Sequence, residues 1–118
     1  MNLFEIKELI ENNPVAIATV MDGNKPNVIG VASVKVVAEN RLVVTDNYMN
    51  QTVKDISENN NVCLIVWDGE MTGYKIVGEA KYYIDGEWKK FVEDLEENKG
   101  FPAKGAIVVD VLKIIPSK

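Results

Sequence analysis

Histidine is absent from this 118-residue sequence, and there is one arginine (Arg41) and one cysteine (Cys63). The missing histidine removes Ser-His-Asp triads, Cys-His pairs and the usual histidine-containing zinc and haem sites. A single cysteine rules out a disulfide within the chain, and its place in the apolar run VCLIVW predicts a small core residue. With one arginine, scattered lysines and a net charge of -5, the chain has no basic patch for nucleic acid. Long apolar runs are also missing: none approaches the roughly 20 residues that cross a bilayer, so no membrane partner is expected. The opening MNLFEIKELIENN mixes apolar and charged residues and lacks the basic and continuous apolar regions of a secretory signal. A cytoplasmic protein is the expectation.

What is present suits one ordinary domain spanning residues 1–118, with 47% hydrophobic and 26% charged residues and no repeat, linker or low-complexity tract. Leu3, Ile6, Leu9 and Ile10 form a helical stripe that Asn12-Asn13-Pro14 ends. VAIATVM and NVIGVASVKVVA read as two antiparallel strands about the Asp22-Gly23 turn. A turn at Glu39-Asn40 then leads to RLVVTD, which predicts a three-strand meander. A short helix near Thr52 to Asn59 precedes the strands NVCLIVWD and YKIVGEAKYYID. In the second of these, Tyr74, Ile76, Gly78, Ala80 and Tyr82 share one phase. Trp88, Phe91, Val92 and Leu95 make a third helical stripe, closed near Gly100, and GAIVVDVLKII is the last strand. The prediction is a mainly β fold, a six-stranded antiparallel split or closed barrel with short flanking helices.

One junction, TDNYMNQTVKDISENNN, passes from strand to helix without glycine or proline. A helix start leaves backbone N–H groups unpaired and carries partial positive charge, so Asn50, Gln51 and Thr52 can hold a phosphate with little help from cations. The alternative is that Thr52 only caps the helix, with Asp55 as an imperfect capping-box partner. Asp46 and Asn47 are equally open to a ring-binding role or an ordinary turn. Trp67 either covers a planar ligand or packs in the core. Glu93, Asp94, Glu96 and Glu97 read as a solvated helix face rather than a metal cluster.

Taken in order, VAIATVMDGNKPNV, VASVKVVAENRLVVTD, MNQTVKDISENNNVCLIV, GYKIVGEAKYY and PAKGAIVVDVLKI resemble the FMN-binding split-barrel proteins of the pyridoxamine 5'-phosphate oxidase-like superfamily, especially its short members. The resemblance implies a homodimer with FMN in grooves at the subunit interface. It places the flavin phosphate at Gln51 and Thr52, where relatives have a basic residue followed by Thr or Ser; Gln51 departs from that pattern. The ring is expected against Ile29, Gly30, Val31 and Ala32 and against Thr45, Asp46 and Asn47, with Trp67, Pro102 or Lys104 reaching it from the other subunit. The implied function is an FMN-dependent redox flavoprotein, or oxidoreductase of unknown substrate, whose electron donor is a reduced nicotinamide or another protein. Haem-handling relatives use a histidine, deazaflavin users a strongly basic groove, and oxidases of pyridoxamine phosphate several arginines; none of these is present here. A second reading is a non-enzymatic dimeric barrel with weak or no FMN binding.

Overall fold

The computed structural model describes residues 1–117. A 3-10 turn at Leu3–Ile6 runs into α1 (Lys7–Asn12), followed by β1 (Val15–Met21), β2 (Lys25–Val31), β3 (Val34–Ala38) and β4 (Arg41–Asp46). Next come α2 (Gln51–Glu58), β5 (Asn61–Trp67), β6 (Gly73–Tyr83), α3 (Gly86–Glu93) and β7 (Gly105–Pro116). The seven strands form one antiparallel sheet in the order β2-β1-β5-β6-β7-β4-β3.

The fold is the expected split barrel, with one strand more than expected. NVIGVASVKVVA is two strands, because the ladder breaks at Ala32-Ser33. The expected meander is corrected for the same reason: β2 and β3 occupy opposite edges of the sheet. Only two residues join those edges, and three Cα steps reach no further than about 11 Å. The sheet must therefore curl until its edges lie side by side, unpaired at the split. Its first hairpin is as expected: Met21 pairs with Lys25, and Gly23 (φ 73) and Asn24 (φ 60) supply the left-handed turn.

Inside the curl, Leu3, Ile6 and Ile10 meet Ile17, Leu42, Val44, Leu64, Ile76 and Ile107 in the main core. The edge strand β3 is protected where Glu11 of α1 accepts a hydrogen bond from the Val36 amide (2.9 Å). A smaller core lies outside the sheet, where Val92 of α3 packs on Val43, Ala106 and Val108 and Trp88 meets Phe91 edge-on at 6.0 Å. Strand β4 is thus buried on both faces, which is why Leu42, Val43 and Val44 are apolar without alternation.

Cys63 corrects another expectation. On β5 the inward positions are Val62, Leu64 and Val66, so Cys63 falls on the outer face with Ile65 and Trp67, each half-buried. A strand alternates its faces, and an unbroken apolar run conceals which phase points inward. Partial burial pushes the Cys63 thiol above its usual value, against a smaller opposing pull from Lys75. Among the described residues no helix is long and apolar enough to cross a membrane.

Candidate functional site

Strand β4 ends on Asp46, whose side chain is completely buried. Its Oδ2 accepts a hydrogen bond from Tyr82 Oη (2.5 Å) and its Oδ1 accepts one from the Met49 amide (2.7 Å). The Asp46 carbonyl accepts from the Lys104 amide (2.8 Å), and Lys104 Nζ donates to the Met49 carbonyl (2.6 Å). These bonds fold residues 46–49 into a fixed approach to α2. Tyr82 reaches Asp46 only because Gly105 lies under its ring, where a Cβ would run into the Tyr82 hydroxyl. Burial first, and then the Asp46 carboxylate, raise the Tyr82 pKa well above the usual phenol value.

The helix starts one residue before Thr52, so Thr52 is not its cap. Asn50 holds the N-cap position and makes no side-chain capping bond. The first helical bond runs from Lys54 N–H to the Asn50 carbonyl (3.2 Å), leaving the preceding amides without intrahelical partners. Thr52, only 1% exposed, accepts from Asn27 Nδ2 (3.3 Å), which also donates to Thr19 Oγ1 (3.2 Å). Thr19 Oγ1 donates in turn to Asp55 Oδ2 (2.7 Å), while Gln51 Nε2 donates to Asp55 Oδ1 (2.6 Å). No Thr52–Asp55 capping box forms. The Gln51 amide turns toward Asp55 one turn along the helix and satisfies a buried carboxylate that has no ion-pair partner among the described residues.

Above the helix start opens a cavity of about 440 Å³. Ile29, Gly30, Val31 and Ala32 line one side, and Thr45 and Asn47 line the end of β4. Asn50, Gln51 and Thr52 form the floor at α2. Asp46 does not line this cavity, its carboxylate being bonded to Tyr82, and Trp67, Pro102 and Lys104, expected from the other subunit, do not line it either; Trp67 stands on the outer face of β5. Arg41 is at the opposite end of β4, paired with Asp110 (2.8 Å). Neither lysine nor arginine lines the cavity among the described residues.

Sequence reasoning missed the wall formed by Glu97, Asn98 and Phe101. Helix α3 ends at Glu93, earlier than expected, and a 3-10 turn at Glu96–Asn98 carries the chain over the β2–β3 break. Glu97 is not part of a solvated helix face: its Oε2 accepts from Ser33 Oγ (3.0 Å) and pairs with Lys35 Nζ (2.9 Å). Burial works to raise the Glu97 pKa, but the bonds from Lys35 and Ser33 outweigh it and hold the carboxyl below its usual value. These contacts join residues more than sixty positions apart, and only the turn composition of ENKG hinted at a loop.

Among the described residues, three buried polar atoms have no partner: Thr45 Oγ1, Asn47 Oδ1 and Asn98 Nδ2. All three belong to residues of the cavity wall. Burying such atoms unpaired costs about 1–3 kcal/mol each.

Residues 4–117 match the family model described as pyridoxamine 5'-phosphate oxidase. The chain belongs to that family. An uncharacterized protein of Methanocaldococcus jannaschii is 35% identical, over 93% of this chain and 76% of the relative. Among solved structures, HupZ of Group A Streptococcus superposes with a TM-score of 0.90 at 24% identity, covering 99% of this chain and 94% of that one. An FMN-binding protein of Syntrophomonas wolfei gives a TM-score of 0.82 at 19% identity, covering 98% and 86%. At these identities the two structures speak for the fold of this family member.

Proposed function

We propose that this protein is an FMN-binding redox flavoprotein that works as a homodimer. The observation that carries the reading is the cavity itself. It joins an uncapped helix start and a largely apolar wall within a volume typical of small-molecule sites. Membership of the pyridoxamine 5'-phosphate oxidase family and the likeness to an FMN-binding protein support it.

A flavin fits these residues. The amides at the start of α2, with the Thr52 hydroxyl, would hold the phosphate through the helix's partial charge. Ile29, Gly30, Val31 and Ala32 would face the ring, and exposed Gly30 leaves room, since a Cβ there meets nothing within 4 Å. When bound, the flavin supplies hydride or single-electron transfer, which needs neither nucleophile nor metal from the protein. The chain's own part is to bind, orient and keep water from the apolar wall. A second copy supports the site by closing its open side. The outer sheet face carries Ala16 opposite Ile65 and Ala18 opposite Cys63, with Trp67, all apolar and half-buried.

One observation favours the second reading, a barrel with weak flavin binding: the cavity lacks a cation and the Gln51 donor is already committed to Asp55. Titration with FMN, followed at the visible flavin band and by thermal shift, separates the two. Saturable binding with a raised melting temperature supports the flavoprotein; colourless protein with no shift in excess FMN refutes it. Reduction of the bound flavin by NADH or NADPH without oxygen then identifies or eliminates a nicotinamide donor.

A further inference from the structure

A chain of hydrogen bonds runs from α2 through β1 and β2 and back to α2. Asp55, 1% exposed, accepts from Thr19 Oγ1 on Oδ2 (2.7 Å) and from Gln51 Nε2 on Oδ1 (2.6 Å). Thr19 and Thr52 are both buried, and Asn27 Nδ2 stands between them, 3.2 Å from the first hydroxyl oxygen and 3.3 Å from the second. A carboxylate only accepts, a hydroxyl has a single proton, and an amide can present either its oxygen or its nitrogen. The carboxylate therefore sets the direction of every bond in the chain. Thr19 gives its proton to Asp55, so toward Asn27 it can only accept. Asn27 must then turn its nitrogen to both hydroxyls, which settles its amide orientation, and Thr52 accepts the second N–H. The Thr52 proton is left over, with no acceptor among the described residues.

We infer that Asp55, Thr19 and Asn27 are positioning residues that hold Thr52 as a hydrogen-bond donor. None of the three lines the cavity, whereas Thr52 does. With its oxygen engaged by Asn27, the Thr52 hydroxyl offers a proton, and the group that matches it is an acceptor such as a phosphate oxygen. This rests on the flavin reading above, in which Thr52 meets the phosphate at the start of α2. It also gives a use to a carboxylate that is otherwise out of place there. By charge alone Asp55 opposes an anion bound at its own helix start. By directing the hydroxyls it favours one.

These two effects have opposite signs, which makes Asp55→Asn decisive. Removing the charge would by itself tighten FMN. In the network, the new amide keeps its oxygen on Gln51 and turns its nitrogen to Thr19; the Thr19 proton then goes to Asn27, whose amide turns over and takes the Thr52 proton as well. Equilibrium binding of FMN and of riboflavin is measured for wild type, Asp55→Asn, Thr52→Ala and the double variant, each first checked for folding by circular dichroism. The preference for FMN over riboflavin should fall about three- to tenfold in Asp55→Asn. It should fall no further when Asp55→Asn is added to Thr52→Ala, because no hydroxyl is left to direct. A preference that holds or rises in Asp55→Asn overturns the inference. So does an equal fall in the Thr52→Ala background, since Asp55 would then support the helix and not the hydroxyl. Should Asp55→Asn fail to fold, Asn27→Ala, at a half-buried position of edge strand β2, removes the donor to Thr52. The preference should then fall about threefold, and an unchanged preference overturns the inference. Each of these failures leaves FMN binding by the wild type, and with it the flavin reading, intact. No FMN binding by the wild type removes the flavin reading and this inference together.

Discussion

Replacing Tyr82 with Phe removes one oxygen atom and tests how the approach to the cavity is held. Tyr82 Oη donates to a carboxylate at zero exposure, and the second oxygen of that carboxylate holds the Met49 amide. A hydrogen bond to a charged group contributes about 1.5–3 kcal/mol, and its loss leaves Asp46 Oδ2 buried without a partner. The phenyl ring keeps its packing, so no cavity term is added. We expect a loss of about 2 kcal/mol, or roughly 8 °C in melting temperature for a chain of this size. Gly105→Ala attacks the same bond from beneath, since its Cβ would force the Tyr82 ring aside. If both act through that bond, Gly105→Ala costs less in a Tyr82→Phe background than in the wild type, by about 1 kcal/mol or more. Urea unfolding at one fixed protomer concentration, with the slope checked for constancy, measures both effects; a fixed concentration matters because association shifts stability by mass action. A Tyr82→Phe loss below about 0.5 kcal/mol, or strict additivity of the two substitutions, would refute the reasoning.

Thr52→Ala is expected to raise the FMN dissociation constant by roughly tenfold, through loss of a hydroxyl beside the phosphate; unchanged affinity would place the phosphate elsewhere. Gln51→Lys should tighten FMN relative to riboflavin by threefold or more, about 0.7 kcal/mol, because riboflavin lacks the phosphate on which the added charge acts; calorimetry with both ligands reads the ratio. Glu97 has a folded pKa below its unfolded value, so the Ser33–Glu97–Lys35 contact is fully present above the ordinary carboxylate range and is lost as pH falls through the lowered value. Acid titration of flavin affinity should show that loss in wild type and not in Glu97→Gln. Cys63, with its thiol pushed up, should react with iodoacetamide at pH 8 more slowly than a free thiol does, the rate rising with pH; equal or faster reaction would contradict the assigned environment.

The helical stripes, the Asp22-Gly23 turn and the alternation of β6 were legible because each is a local pattern whose period follows from the geometry of one element. The break at Ala32-Ser33 was not, since small residues between two valine-rich runs look like continued strand, and only the different partners of β2 and β3 separate them. Cys63 failed for a related reason: VCLIVW is apolar on both phases, and the core picks one. At the site, the cavity wall includes nine of the residues singled out from sequence, from Ile29 to Ala32, Thr45, Asn47, and Asn50 to Thr52. The Asp46 carboxylate is bonded to Tyr82 outside that wall, and Glu97 and Asn98 came from a segment whose only local signal was the turn composition of ENKG.

The sequence by itself determined one chemistry that is closed to this protein, because a chain without histidine cannot assemble histidine catalysis wherever its residues are placed. It also determined the elements, since their apolar periods are properties of neighbouring residues. Only the tertiary structure decided that the two edges of the sheet meet at a two-residue link, that Gln51 is spent on Asp55, and that Thr45, Asn47 and Asn98 share one wall with unpaired atoms. Those facts depend on curling a sheet and on contacts between residues far apart in the chain, and no local pattern encodes such a meeting.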